Sequence, residues 1–168
     1  CRRRKLTLIE DAAHALGAAY RGRPIGSISR LTTFSFHPAK HITCGEGGMV
    51  TTASAVCAQR ARTFRNHGMT ADVNRRLTQN SWRYDVLEAG YNYRLSDVHC
   101  ALGFSQLDKL PEFLRRRRAI VEQYRRALND MEEITLPVSP TEAGTRHAWH
   151  LFVIRLRPDR LKGGRDEI

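Results

Sequence analysis

A chain of 168 residues with a net charge of +11, from 28 Lys and Arg against 17 Asp and Glu, is long enough to bury a core and too mixed in composition for a disordered or collagen-like protein. No apolar run approaches the roughly 20 residues that span a bilayer, and the Arg-rich start Cys1-Arg2-Arg3-Arg4-Lys5 lacks the apolar stretch of a signal peptide, so a soluble, cytoplasmic protein is expected. The four cysteines, Cys1, Cys44, Cys57 and Cys100, stand far apart with no CxxC pair; they offer neither a zinc ribbon nor a disulfide framework and read as free thiols.

In chain order, Leu6 to Ile9 is a short apolar, β-branched run ending in Glu10-Asp11, followed by small, helix-favouring residues from Ala12 to Gly17. It reads as a buried parallel strand that presents Asp11 at its carboxyl end and turns into a short helix. Taken alone, Asp11 reads as a helix N-cap. Tyr20-Arg21-Gly22-Arg23-Pro24 between apolar flanks marks a hairpin-like turn. Thr32 to Phe36 is the next strand; Pro38 breaks it, and Lys40 lies in a loop closed by Gly45-Glu46-Gly47-Gly48 before a further strand from Gly48 to Thr52.

Ala53 to Asn66 reads as a helix with Ala53, Val56, Cys57, Ala61 and Phe64 on one stripe, stopped by Asn66-His67-Gly68. Met69 to Glu88 is polar and irregular, with Trp82 and Tyr84 as anchors, and its length suits a lid, a binding loop or an interface arm. Ser96-Asp97 opens a helix whose apolar face is Val98, Ala101, Leu102, Ser105 and Leu107. Pro111 opens a longer one through Phe113, Leu114, Ile120, Val121, Tyr124 and Leu128 to about Met131. Leu136-Pro137-Val138-Ser139-Pro140 is a linker, and Ala148 to Leu156 is a strand that opens a new unit. This alternation makes the fold class α/β. The chain begins without Met and stops just after Gly163-Gly164, as an internal piece of a longer protein would.

Lys40 is the strongest chemical candidate. An amine attacks a carbonyl only when unprotonated, so a catalytic lysine needs burial, a positive neighbour or a Schiff base, and Phe34, Phe36 and Ile42 supply an apolar setting. Without a partner it reads as a surface lysine. Asp11 supplies one: an enzyme using pyridoxal phosphate needs a lysine for the aldehyde and an acid for the pyridine nitrogen, here on two loops at strand ends. Ser35 and the glycines from Gly45 to Gly48 offer a phosphate seat, although no Gly-Lys-Ser/Thr follows and no GxGxxG occurs, which disfavours nucleotide hydrolysis and a dinucleotide fold. The seven histidines, His14, His37, His41, His67, His99, His147 and His150, form no HExxH, and His37 and His41 flank Pro38, so no metal site is expected. No GxSxG elbow appears. A basic nucleic-acid-binding or regulatory module is the non-enzymatic alternative, yet the densest run, Arg115 to Arg118, lies in a helical pattern and points around the helix as a solvated face would.

Four stretches together carry a resemblance: Ile9 to Gly17 (IEDAAHALG), Phe34 to Lys40 (FSFHPAK), Gly45 to Gly48, and Gly90 to Asp97 (GYNYRLSD). In order and spacing they resemble the DegT/DnrJ/StrS nucleotide-sugar aminotransferases over nearly the whole chain. Trp82 and the Gly103 to Leu107 run, with Trp149-His150-Leu151, are most similar to the branch that aminates a UDP-linked 4-keto-6-deoxy sugar on the pseudaminic acid pathway. The resemblance implies a fold-type-I pyridoxal 5'-phosphate enzyme. Residues 1–108 would be part of the large domain, 109–134 a bridging helix, and 135–168 the start of a small C-terminal α+β domain. Lys40 would hold the cofactor as an imine and shuttle the proton; Asp11 would pair with the pyridine nitrogen, His14 would lie near the phenolic oxygen, and Ser35 would bind the phosphate. Asn92 would reach the cofactor phosphate of a partner subunit, which implies a homodimer. Glutamate would be the amino donor and a keto sugar nucleotide the acceptor. A dehydratase of the same fold would carry His in place of Lys40. Relatives are about twice as long, so the chain on its own is expected to bind cofactor poorly and to show little activity.

Overall fold

The structure, a computed structural model, describes residues 1–70, 78, 82–161 and 163. β1 (Ile9–Asp11) leads into an antiparallel hairpin of β2 (Ala19–Tyr20) and β3 (Arg23–Pro24), and then into β4 (Leu31–Ser35) and β5 (Gly48–Thr51). β1, β4 and β5 form one sheet in that order, with β1 parallel to β4 and β5 antiparallel to it. Along β4 and just beyond it, Thr32, Phe34 and Phe36 are buried while the residues between them are half-buried, the alternation a strand imposes. Phe34 and Phe36 join Ala12, Ile42 and Cys44 in the core, against which Leu16, Ile25, Leu95, Leu110 and Phe113 pack. This core fixes both ends of the Lys40 loop.

The first strand is shorter and later than its composition suggests. Pairing starts at Ile9 rather than Leu6, and Leu6 is 62% exposed. β1 is therefore not a buried strand here; among the described residues it has a neighbour only on the β4 side, and Ile9 is 61% exposed. Nor does a helix follow it. Ala12 to Gly17 makes successive turns (Ala15 N–H to Ala12 O 2.9 Å, Ala18 N–H to Ala15 O 3.0 Å), and Gly17, at φ +82°, admits the Leu114 side chain where a Cβ would stand. That left-handed residue stops helical propagation.

The helices described in full are α1 (Ala55–Phe64), α2 (Asp97–Leu107) and α3 (Leu110–Leu128). Ser54 and Ser96 cap the first two by accepting the N–H of Cys57 and His99. Pro111 sits in the first turn of α3, where its missing N–H costs nothing. The apolar stripe expected along α1 is not its inward face; Thr63 is its buried residue, and Val56 is exposed. Likewise α2 buries no residue, and Val98 is 78% exposed, because the helix meets the core mainly through the Gly103 side that abuts Cys44. α3 buries Val121 and ends at Leu128, short of Met131.

Much of the Met69 to Glu88 segment lies outside the described residues, but its base is closed by Thr70 N–H to Asp85 O (2.9 Å) and Leu87 N–H to Gly68 O (2.9 Å). Trp82 stands 80% exposed and anchors no core. The strand expected from Ala148 to Leu156 is reduced to β7 (Arg155–Leu156), antiparallel to β6 (Ile134–Thr135). Side chains take the backbone groups that a ladder would use. His147 Nδ1 accepts the Trp149 N–H at 2.8 Å, and Arg117 Nη1 donates to the carbonyls of Trp149 and His150, each at 3.1 Å. Gly164 and the Asp166 to Ile168 end also lie outside the described residues.

Candidate active site

β1 and β4 run parallel with Asp11 opposite Thr33, so the carboxyl ends of both strands open on the same edge of the sheet. Asp11 is exposed there; its Oδ1 accepts the Ala13 N–H at 3.0 Å, and its other oxygen takes no bond from any described residue. That local bond is the N-cap type of contact read from the sequence, although no helix follows. Ser35, two residues past Thr33 on β4, accepts the His37 N–H at 3.4 Å and keeps its own proton for another acceptor. The loop then brings Lys40 back across the sheet edge. Its Nζ stands 2.6 Å from Nε2 of His14, three residues beyond Asp11. Lys40, His14 and Asp11 are thus brought together, with Ser35 on the adjoining strand.

Behind the amine stand two further imidazoles. His150 lies with its ring centroid 4.2 Å from that of His14 and 5.2 Å from that of His41. His41 is buried and its Nε2 lies 3.2 Å from the Ala148 carbonyl, while its Nδ1 has no partner. Burial, followed by the positive Arg117 and by His150, pulls the His41 pKa down to about 4. Burial also lowers that of His150, helped by His14, Lys40 and Arg117. Sequence reasoning placed neither His150 nor Arg117 at the site, since they lie more than a hundred and more than seventy residues from Lys40, in a supposed strand and a supposed solvated face. The surplus of histidines and the Trp149-His150-Leu151 stretch of the resemblance were the available signals. Among the described residues, no three His, Cys, Asp or Glu side chains could hold a metal ion together.

Asn92 stands apart. It is exposed and forms a backbone bridge with Asn66, flanked by Tyr91 N–H to Phe64 O and Tyr93 N–H to Arg65 O (2.9 Å each). No hydrogen bond joins it to Lys40, His14, Asp11 or Ser35 among the described residues. The glycine run serves packing rather than an open anion cradle: the Gly45 N–H is taken by Thr43 Oγ1 at 2.9 Å, and a Cβ on Gly47 would stand 2.6 Å from Cys44 Sγ. A separate cavity of about 440 Å³ lies between the sheet and α2, lined by groups such as Ile25, Phe34, Met49, Leu95, Phe104 and Leu107. Its walls are nearly all carbon and offer no reacting group comparable to Lys40.

The basic run is largely engaged within the fold. Arg115 and Arg116 pair with Glu112 at 2.7 Å, Arg117 holds two carbonyls, and Arg125 donates to Pro137 O and stacks over Trp149. No helix among the described residues is long and apolar enough to cross a membrane.

Residues 1–168 match the model of the DegT/DnrJ/EryC1/StrS aminotransferase family. The chain is 40% identical over 158 residues to the uncharacterised protein MJ1066 of Methanocaldococcus jannaschii, covering 94% of this chain and 40% of that protein. It superposes on PseC of Helicobacter pylori, an aminotransferase involved in the biosynthesis of pseudoaminic acid, with a TM-score of 0.84 and 30% identity over 95% of this chain and 40% of that one. It is similar to the putative sugar aminotransferase Spr1654 of Streptococcus pneumoniae in its PLP-form (TM-score 0.78, 33% identity, 90% of this chain and 38% of that one) and its PMP-form (0.80, 34%, 91% and 39%). The chain therefore spans about 40% of the length of these relatives.

Proposed function

The chain belongs to the DegT/DnrJ/EryC1/StrS aminotransferase family, whose members use pyridoxal 5'-phosphate, and on that premise we propose that it carries the lysine side of an active site that moves an amino group from an amino acid to a keto sugar nucleotide. One observation carries this reading: Lys40 Nζ sits 2.6 Å from His14, on the sheet edge where β1 delivers Asp11 and β4 delivers Ser35. An amine, a free carboxylate oxygen and an uncommitted hydroxyl are the donor set that pyridoxal phosphate requires, and the site's orphaned imidazole nitrogens leave further polar capacity.

Pyridoxal phosphate supplies an electron sink for negative charge developing on the substrate carbon. Asp11, through the oxygen not given to Ala13, would hold a proton on the pyridine nitrogen, and Ser35 Oγ would donate to the phosphate. Lys40 Nζ would hold the aldehyde and carry a proton to and from the substrate carbon, with His14 Nε2 2.6 Å away as its hydrogen-bond partner in the free site.

Similarity to PseC, an aminotransferase involved in the biosynthesis of pseudoaminic acid, supports the finer part of this proposal: the acceptor is a UDP-linked 4-keto-6-deoxy hexose, the donor is glutamate, and the product enters a surface polysaccharide or glycan. Residues 1–108 form part of the cofactor-binding domain, 109–134 the bridging helix and 135–168 the start of the small domain. The exposed Asn92 suits a cofactor phosphate held by a second copy, in a cytoplasmic homodimer, and the chain alone binds cofactor poorly. Lys40 in this position argues against the dehydratase variant.

The test is chemical. In the whole protein, borohydride should fix the cofactor onto Lys40 and abolish its imine absorption, and ¹⁵N from labelled glutamate should appear in the sugar. A Lys40→Ala protein that still forms a reducible adduct would end this assignment.

A further inference from the structure

His150 is the middle member of a row of three imidazoles, and nothing in the Lys40 loop itself accounts for it. It arrives from the far end of the chain and contacts the ring of His14 on one side and that of His41 on the other, tilted by 46° and 43°. Its Nδ1 is buried without a partner, so no hydrogen bond at that atom holds the ring.

What holds it is the backbone. Arg117 on α3 grips the carbonyls of Trp149 and His150 together, and Trp149 adopts φ +50°, a left-handed conformation that is strained for a residue with a Cβ. Such strain persists only where the surroundings over-determine it, and it clusters at functional sites. The left-handed turn at Trp149 leaves His150 against the sheet edge instead of in a β7-like ladder.

His14 needs such a support. It is exposed, lies in a turn rather than a helix, and its ring has one hydrogen-bond partner among the described residues, Lys40. A hydrogen bond donated by the Lys40 Nζ–H to Nε2 of a neutral His14 requires that nitrogen bare and the ring proton on Nδ1. An imidazole free to rotate would present either nitrogen.

We propose that His150, clamped by Arg117, is a positioning residue that fixes the His14 ring with Nε2 turned to the Lys40 amine. This rests on the reading of Lys40 as the cofactor-binding lysine, and it adds that the amine's direction is set from the C-terminal segment. Closure of that segment onto the sheet would then complete the alignment of Lys40.

The experiment is ¹³C and ¹⁵N NMR of histidine-labelled whole protein, before and after cofactor addition. In the unsubstituted protein, His14 should show a single tautomer with the proton on Nδ1. His150→Leu should shift it to the average of two tautomers and weaken cofactor binding about tenfold, the scale of one hydrogen bond to a charged group. His150→Phe, which keeps a ring against His14, should restore both readouts. Arg117→Met keeps all three histidines in the chain but removes the clamp on the His150 backbone, and should give the same averaging as His150→Leu. An unchanged His14 tautomer in His150→Leu overturns the proposal, as does one in Arg117→Met; if the leucine variant does not fold, the methionine variant decides. A borohydride-reducible adduct on Lys40 that survives these substitutions keeps the two questions apart, because its presence supports the aminotransferase reading whatever His14 does.

Discussion

His41 shows what a single buried side chain imposes on the protein. Its neutral ring is satisfied on one side by the Ala148 carbonyl, whereas its protonated ring would face Arg117 and His150 with an unpaired Nδ1. The pKa is about 4 folded against 6.5 for the free side chain. Above pH 6.5 neither state binds the proton and the contribution is constant. As the pH falls from 6.5 towards 4 the unfolded chain gains a proton that the folded one refuses, so stability declines; below 4 both are protonated and the loss levels off. The loss is on the order of 2 kcal/mol, less than full conversion of the shift because solvent and side chains relax around the charge. Urea midpoints measured at pH 7 and pH 4.5 should show this decline, and His41→Leu should flatten it. An equal pH slope in the leucine variant would move the origin to other groups.

At the scale of elements, the helices are held by their ends more than by their faces. α1 buries only Thr63 and has no acidic residue in its first turn, so the Ser54 hydroxyl, which accepts the Cys57 N–H at 3.3 Å, is a large share of what starts it. Ser54→Ala should cost about 1 kcal/mol, read as a lower Tm, while Ser54→Asp should recover it. The Ser96 start of α2 was legible in the sequence, whereas the Ser54 cap was not, since the helix was expected to begin at Ala53; the hairpin around Gly22, β4, β5 and Pro111 at the head of α3 were legible because each depends on neighbouring residues alone. The placement of Asp11, Ser35 and Lys40 was legible for the same reason: they lie at or just beyond the ends of apolar strand runs. What composition could not reveal depended on distant partners. The Ala148 to Leu156 run has the pattern of a strand, yet Arg117 and His147 capture its backbone groups. The exposed apolar groups on β1 and α2 match strand and helix patterns whose covering layers the described residues do not provide.

Across the whole molecule, the segment that delivers His150 is also tied to the hairpin that follows β1. Ala19 and Arg146 exchange backbone hydrogen bonds of 3.0 and 2.8 Å, Gly22 N–H reaches Gly144 O at 2.9 Å, and Arg21 pairs with Glu142 at 2.8 Å. The ion pair is exposed and contributes little by itself. The backbone bonds matter more, and they depend on Gly144, which holds φ +73° with Gly22 N only 2.7 Å from where a Cβ would stand. Gly144→Val would be strained in that conformation and would push the hairpin away, breaking this strap while leaving β4 and β5 paired. Amide exchange should therefore speed up at Ala19, Gly22 and Arg146 but not at Phe34 or Val50, the signature of a local opening. Since the same segment leads to His150, the His14 tautomer should lose its uniqueness in Gly144→Val as well. Faster exchange along β4 would instead make the strap part of the core's cooperative unit, and closure onto the sheet edge would then be inseparable from folding.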